Sequence, residues 1–151
     1  HPIMSNTQTM KAVVVQEGKT TAIEQKPVPG DLKDNEVLFK VLTVAQNPTD
    51  WKHVAFGLSS PGQISGCDFV GVAKKIGSAV PEKVKGQVRG GFVRGGMSPT
   101  NGAYAEYIKS AWDITFLVPS NITPAQAASA PIPLFTACQA FYLRMGLPKP
   151  D

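Results

Sequence analysis

Hydrophobic and polar residues alternate through much of the chain in short runs that predict β-strands. Two such runs cover residues 10–16 and 20–26, and Glu17-Gly18-Lys19 between them predicts the turn of a hairpin. The run at residues 36–45 is apolar on both faces, which is typical of a strand buried in a barrel or sandwich. Further strands are predicted at residues 66–77, 102–109 and 114–118. The pattern indicates a mainly β fold.

A short helix is predicted after the 36–45 strand. Asn47 suits the N-cap, Pro48 suits the first helical position, and Asp50 places a negative charge in the first turn. We expect the helix to run from Pro48 to about Phe56 and to stop at Gly57.

Helical signals return near the C-terminus. Thr123-Pro124-Ala125-Gln126 predicts a capping box, and the prolines at 131 and 133 are expected to end that helix. A second helix is predicted from about Leu134 to Met145, with Gly146 as its C-cap. This second helix is apolar nearly all round, which favours burial inside a larger structure.

Two glycine pairs suggest that the backbone passes close to another part of the molecule. Gly90-Gly91 and Gly95-Gly96 flank Phe92-Val93-Arg94. Because glycine has no side chain, it allows a neighbouring backbone or ring to approach closely. We therefore expect strand ends here to lie against a neighbouring segment.

Composition allows one folded domain. The chain has 151 residues, of which 42% are hydrophobic and 17% charged, with 14 Gly and 13 Pro that imply many turns. A net charge of +4 gives mild attraction to anions, whether a nucleotide phosphate, a nucleic acid or nothing specific. The basic stretch 74–94 lacks the interleaved aromatic residues of a base-stacking surface, so no nucleic acid partner is expected.

Cysteine usage and hydropathy bear on the cellular compartment. Cys67 and Cys138 are too few and too far apart for a disulfide framework or a paired-cysteine metal site, which favours a reducing, cytoplasmic setting. No apolar run reaches the roughly 18 residues of a membrane span, so no membrane partner is expected. Residues 1–9 are expected to be a tag remnant or disordered N-terminus, because His1-Pro2-Ile3 precedes Met4.

The sequence contains neither of the common phosphate-binding glycine motifs. There is no GxGxxG, and the spacing from Gly57 to Gly62 lacks the Lys-Ser/Thr pair that would complete a P-loop. The chain is therefore not expected to hold a dinucleotide pyrophosphate by itself.

Several motifs together resemble the zinc-free branch of the medium-chain dehydrogenase/reductase superfamily, which includes quinone oxidoreductases and fungal trans-acting enoyl reductases. The resemblance rests on NPTDWK at 47–52 and PGQISGCDFVG at 61–71. It continues over nearly the whole chain, through residues 11–15, 102–107, 127–131 and 136–137. It implies a GroES-like, partly open β-barrel with short helices over residues 10–130. Residues 131–151 would be a helix and hinge toward a Rossmann domain that is absent from this chain.

The resemblance also implies a function. Proteins of this type use NADPH to reduce an activated C=C bond or a quinone-type small molecule without zinc, and this domain alone is expected to be inactive. The implied catalytic residues are Asn47, Thr49 and Lys52, and the implied cofactor-facing residues are Asn47, Pro48, Lys52 and Thr136. Lys52 matches a lysine in the Asn-Pro-Ser-Asp-Thr-Lys segment of the fungal enoyl reductases. Alternatives stay open, since Asn47 also suits a helix cap, Lys52 a solvated surface, and Thr136 a hydrogen bond within its helix.

No metal is expected at this site. Zinc-dependent relatives place Cys where this chain has Asn47, and His-Glu where it has Cys67-Asp68; a neutral amide in place of a thiolate removes most zinc affinity. A metal site made of His53, Cys67 and Asp68 is disfavoured, because neighbouring strand residues point to opposite faces.

Tyr104 and Tyr107 are candidate proton donors, although packing is the preferred interpretation.

A second functional hypothesis is a non-catalytic GroES-like module. In this hypothesis the exposed apolar C-terminal helix mediates homodimer formation or binds a protein partner.

Overall fold

A computed structural model describes residues 8–150, so residues 1–7 of the tag remnant or disordered N-terminus predicted at 1–9 lie outside the described part, while Thr9 is the first residue of a strand. The strands are β1 (Thr9–Gln16), β2 (Thr20–Pro27), β3 (Glu36–Ala45), β4 (Asp68–Ile76), β5 (Val88–Phe92), β6 (Tyr107–Ala111) and β7 (Phe116–Leu117). The helices are α1 (Pro48–Ala55), α2 (Pro124–Ala128) and α3 (Pro131–Cys138), with single 3₁₀ turns at Glu82–Val84 and Trp112–Ile114 and a π-helical segment at Gln139–Arg144. No helix within residues 8–150 combines the length and apolar character needed to cross a bilayer.

The strands form two antiparallel sheets. β1 and β2 make the predicted hairpin, and the other five strands pair in the order β6–β3–β4–β5–β7. β1 contacts the larger sheet through loops, because the Val13 amide donates to the Tyr104 carbonyl at 2.8 Å and the Val13 carbonyl accepts from the Ser65 amide at 2.9 Å. This incomplete closure confirms the predicted mainly β, partly open barrel.

The main core is built from the first half of β3 together with β4, β6 and neighbouring loops, and buried residues of β1 form a separate cluster. Phe39 and Phe69 are fully buried, with ring centroids 5.4 Å apart. Burial on both faces of β3 was expected along its whole length, and this is wrong for the second half, where Leu42 is 51% exposed. The reason is that β6 pairs only with residues 36–40 of β3, so the remaining residues lie at an open edge.

The predicted strand at residues 102–109 is shorter than expected. β6 begins only at Tyr107, because the residues before it form backbone hydrogen bonds with two different strands. The Glu106 amide donates to the Lys11 carbonyl of β1 at 3.1 Å, whereas the Glu106 carbonyl accepts from the Val41 amide of β3 at 2.9 Å. Residues 103–106 thus link the hairpin to the larger sheet.

The prediction that two prolines end the first C-terminal helix needs correction. α2 ends at Ala128, and Pro131 then opens α3, with Pro133 two residues later in the same first turn. Proline is tolerated there because first-turn amides have no partner within the helix. Gly146 follows with φ of 67°, which confirms the predicted left-handed C-cap. The apolar side chains of this region are largely solvent-exposed in this chain; the most exposed are Leu134, Phe141, Leu143, Met145 and Leu147.

The glycine pairs lie where backbone or ring approaches closely, as predicted. A β-carbon on Gly90 would contact the Phe116 ring, and one on Gly95 would clash with the backbone of Gly66. These contacts hold β5 and the loop after it against the neighbouring segments.

Substituting Gly95→Ala should therefore destabilise the fold by about 2 kcal/mol or more, because the added methyl group has backbone rather than a flexible side chain against it. Gly30→Ala is the matched control, since nothing lies within 4 Å of the added carbon, and its effect should stay within about 0.5 kcal/mol. Chemical denaturation of the three proteins measures both values. Equal stability of the two variants would contradict the packing described here.

Candidate active-site cleft

The start of α1 is held by reciprocal hydrogen bonds between Asn47 and Asp50. The Asn47 amide donates to Asp50 Oδ2 at 2.7 Å, and the Asp50 amide donates to the Asn47 carbonyl at 3.0 Å. Pro48 occupies the first helical position as predicted, and Gly57 ends the segment with φ of 68°. Both Asn47 and Asp50 are buried, so this helix start is part of the interior.

The Asn47 side chain reaches beyond its own helix. Its Nδ2 donates to Asp68 Oδ2 at 2.9 Å, and Asp68 has no exposed surface. Asn47 is therefore both the N-cap residue of α1 and a direct link to β4. The position agrees with the capping alternative, and the catalytic and cofactor-facing role of Asn47 stays a prediction.

The same Asp68 carboxylate accepts a hydrogen bond from the start of α3. The Ile132 amide lies 3.2 Å from Asp68 Oδ2 and 3.3 Å from Oδ1, and donates to both. Pro131 and Pro133 have no amide hydrogen, so Ile132 is the residue that presents one at this helix start. A negative charge also suits the positive end of a helix.

Burial disfavours the negative charge on Asp68 despite these hydrogen bonds. Burial raises its pKa, while the hydrogen bonds from Asn47 and Ile132 oppose the rise and the neighbouring Asp50 charge adds to it. Both hydrogen bonds favour the ionised carboxylate, which accepts on both oxygens.

Tyr104 and Cys67 belong to the same buried region. The Tyr104 hydroxyl donates to Asp50 Oδ2 at 3.0 Å, and burial beside that carboxylate raises the pKa of the phenol. Tyr104 therefore keeps its proton and packs its ring against Gly66, which favours the packing interpretation over proton donation. Burial, reinforced by Asp50, also raises the pKa of the Cys67 thiol to about 12.

An open cleft of about 470 Å³ lies above this network. Its wall is largely apolar, with Thr49 and His53 of α1 on one side and Ile132 of α3 also lining it. The lining residues are Thr49, His53, Leu58, Cys67, Phe92, Val93, Arg94, Gly95, Met97 and Ile132. A cleft of this size and polarity is typical of a small-molecule site.

The predicted site residues occupy different positions relative to this cleft. Thr49 lines it, and Asn47 lies buried within the network. Pro48, Lys52 and Thr136 are exposed, and Lys52 Nζ lies 5.7 Å from the centroid of the Trp51 ring. The roles assigned to these five residues stay predictions.

Sequence reasoning missed two contacts of the site. The Asp68–Ile132 link was not predicted, although the Pro-x-Pro spacing at residues 131–133 marks a helix start with one available amide. His53 was considered only as a metal ligand, whereas its ring Nε2 lies 3.2 Å from Thr49 Oγ1. Within residues 8–150, no three His, Cys, Asp or Glu side chains are arranged to hold a metal ion.

Comparison with known proteins adds a family match. The model of the alcohol dehydrogenase GroES-like domain matches residues 33–120. A trans-enoyl reductase of Alternaria alternata is 37% identical over 146 residues, covering 94% of this chain and 42% of that protein. A trans-enoyl reductase of Aspergillus sclerotiorum is 33% identical over 146 residues, covering 94% and 40% respectively.

A solved structure shares the fold. The quinone oxidoreductase from Coxiella burnetii superposes with a TM-score of 0.77 at 27% identity, covering 91% of this chain and 46% of that one. The chain thus spans less than half the length of these relatives.

Replacing the buried carboxylate by an amide tests the network. In Asp68→Asn the remaining oxygen can take the Oδ2 position and accept from Asn47 and Ile132, but the negative charge is lost and the new NH₂ group at the Oδ1 position lies about 3.3 Å from the Ile132 amide, which is also a donor, so stability should fall by about 2 kcal/mol. The Ile132 amide should also exchange its hydrogen faster. Asp113→Asn is the control because Asp113 is exposed. Unchanged protection of Ile132 in Asp68→Asn would show that the carboxylate does not hold α3.

The two cysteines should differ sharply in reactivity. With a pKa of about 12, Cys67 carries a thiolate in only about one molecule in ten thousand at pH 8, and only 5% of its surface is exposed. Iodoacetamide at pH 8 should therefore modify the half-buried Cys138 and leave Cys67 unmodified, as judged by peptide mass spectrometry. Cys138→Ser should abolish labelling; rapid modification of Cys67 in that variant would refute the prediction.

Proposed function

This chain belongs to the alcohol dehydrogenase GroES-like domain family, and from that premise we propose that it forms the substrate-side wall of an NADPH-dependent, zinc-free oxidoreductase. The proposed substrate is a small molecule with an activated C=C bond or a quinone ring. Residues 10–130 would form this wall, and residues 131–151 would lead toward a nucleotide-binding domain.

The observation that carries the proposal is the cleft beside Thr49. Its apolar lining suits the carbon skeleton of an enone or quinone, and the Thr49 hydroxyl offers a hydrogen bond at the polar edge. A hydrogen bond to the substrate oxygen stabilises the negative charge that develops there during reduction. Asn47, held by Asp68, fixes the turn of α1 from which Thr49 projects.

The proposed nicotinamide cofactor would lie beside the cleft. Asn47, Pro48, Lys52 and Thr136 are the residues that would face it, and the exposed Lys52 ammonium suits a ribose or phosphate oxygen. When bound, the reduced nicotinamide supplies the hydride. The chain lacks a glycine-rich phosphate-binding motif, so the pyrophosphate would be held by the second domain.

The residues at the zinc position of related enzymes do not favour a metal. Asn47 presents a neutral amide that is already hydrogen-bonded to Asp68, and the raised pKa of Cys67 disfavours the thiolate form that binds zinc. In the proposed reaction, hydrogen-bond donors polarise the substrate oxygen in place of a zinc ion.

A second candidate function is a self-associating module. The exposed apolar residues of α3 and the π-helical segment favour it, since Leu143 is 72% exposed. In this proposal the chain forms a homodimer through these residues.

One experiment compares the chain alone with a fusion. The fusion joins the chain to the part of the Alternaria alternata trans-enoyl reductase that follows the matching region. We expect the fusion to oxidise NADPH in the presence of an enone or quinone, and the chain alone to show no oxidation above background. The reason is that the dinucleotide-binding βαβ unit would lie in the second domain. Lys52→Met in the fusion should raise the KM for NADPH. Equal activity of chain and fusion would refute the two-domain proposal, and a stable dimer of the inactive chain in light scattering would favour the module.

A further inference from the structure

A second cavity, the polar cavity, has a volume of about 490 Å³ and adjoins the candidate cleft. Arg94 and Met97 line both spaces, so the two cavities meet at these side chains. The cleft is largely apolar, whereas every residue that lines the polar cavity except Met97 has a charged or polar side chain. A molecule that occupies both cavities therefore needs an apolar part and a strongly polar part.

The polar cavity has an excess of positive charge. Its cationic residues are Lys33, Arg94 and Lys109, and its carboxylate is that of Glu36. This carboxylate is already engaged, since Glu36 Oε2 lies 3.7 Å from Lys109 Nζ and accepts from the Lys33 amide at 3.0 Å. Lys33 and Arg94 are exposed and form no salt bridge with any residue in the range 8–150. Two uncompensated cations therefore line the polar cavity, which favours an anionic ligand.

The loop at residues 94–101, which forms one wall of the polar cavity, is held at several points. The Gly96 amide donates to the Ile64 carbonyl at 2.7 Å, and the Ile64 amide donates to the Ser98 carbonyl at 2.9 Å. The Asn101 side chain donates to the Lys109 carbonyl of β6 at 2.9 Å and accepts from the Lys109 amide at 3.1 Å. The wall is thus formed without a ligand, so binding costs little ordering of the protein.

The same wall offers a hydroxyl hydrogen to a ligand. Ser98 Oγ and Thr100 Oγ1 lie 3.3 Å apart, and the Thr100 amide donates to Ser98 Oγ at 3.2 Å. Each hydroxyl carries one hydrogen, and only one of the two hydrogens can lie between these oxygens. The other hydroxyl is left to donate elsewhere, which suits the oxygen atoms of an anion.

We propose that the polar cavity binds an anionic group of the substrate, a carboxylate or a phosphate, while the reacting carbon skeleton lies in the cleft. This inference rests on the proposed function and narrows its substrate class to an activated alkene or quinone with an anionic side chain. Arg94 stands at the junction of the two cavities, and its planar guanidinium donates to two oxygens of one anionic group. Lys33 adds the second positive charge.

Anion binding can be tested on the chain itself by NMR titration with succinate and with inorganic phosphate, in a buffer that contains neither. The amide signals of residues 94–101 should shift and saturate with at least one of the two anions, and the tighter-binding anion identifies the preferred group. Arg94→Gln should weaken this binding by about 5-fold or more, because it removes charge-assisted hydrogen bonds.

Lys74→Gln is the matched control for the titration. It also removes one positive charge, but from an exposed side chain that lines neither cavity, so the affinity should change by less than about 2-fold. Shifts that do not saturate with either anion would overturn the proposal, as would equal affinities of the wild-type chain and Arg94→Gln.

Substrate selection can be tested on the fusion with three matched enones whose side chains end in a carboxylate, a phosphate or a methyl ester. The wild-type fusion should have a higher kcat/KM for at least one of the anionic enones than for the ester. Arg94→Gln should lower this anion-to-ester ratio by about 10-fold, mainly through KM. Lys33→Gln should lower the ratio less, Lys74→Gln should leave it unchanged, and added salt should reduce it because exposed charges are screened.

The outcomes separate this proposal from the proposed function. If the wild-type fusion reduces none of the enones and no quinone, the proposed function fails, while the titration of the chain still decides whether the polar cavity binds anions. If the fusion is active but prefers the ester, or keeps its ratio in Arg94→Gln, the proposal is overturned. A higher KM for NADPH in Arg94→Gln, with the ratio unchanged, would assign the charge to the cofactor and overturn it as well.

Discussion

The buried Asp68 carboxylate is the contact on which the rest of the site depends. It accepts from the Asn47 side chain at the start of α1 and from the Ile132 amide at the start of α3, and it belongs to the first residue of β4. Three elements that are distant in sequence thereby meet at one charge. Burial disfavours that charge, and the hydrogen bonds from Asn47 and Ile132 oppose this effect.

This constraint determines how the cleft is built. α1 presents Thr49 and His53 to the cleft, and α3 presents Ile132, while Asp68 fixes the distance between the two helix starts. In the buried network behind the cleft, the Tyr104 hydroxyl donates to Asp50 Oδ2.

Local signals in the sequence predicted the elements whose ends are set by neighbouring residues. β3 has the predicted bounds, and α1 begins at Pro48 and stops at Gly57 because cap, proline and glycine act within a few residues. The prediction was wrong where a contact with a residue distant in sequence sets the boundary of a helix or strand. Residues 103–106 change from β1 to β3, and the start of α3 at Pro131 depends on Asp68.

The same distinction applies to the site. The family resemblance drew attention to Asn47 and Thr49, and the structure places the first in the buried network and the second on the cleft. The close approach of Ser59 Oγ to the space beside Gly96 was not predictable, because Gly96 belongs to another segment of the chain. The order of residues along the chain carries no sign of that packing.

The most direct test is a crystal structure of the fusion with NADP⁺ bound. The account predicts that the nicotinamide ring closes the cleft on the side of α1 and α3, with Thr49 and Ile132 facing it. A nicotinamide ring that lies away from this cleft, for example over the β1–β2 hairpin, would contradict it.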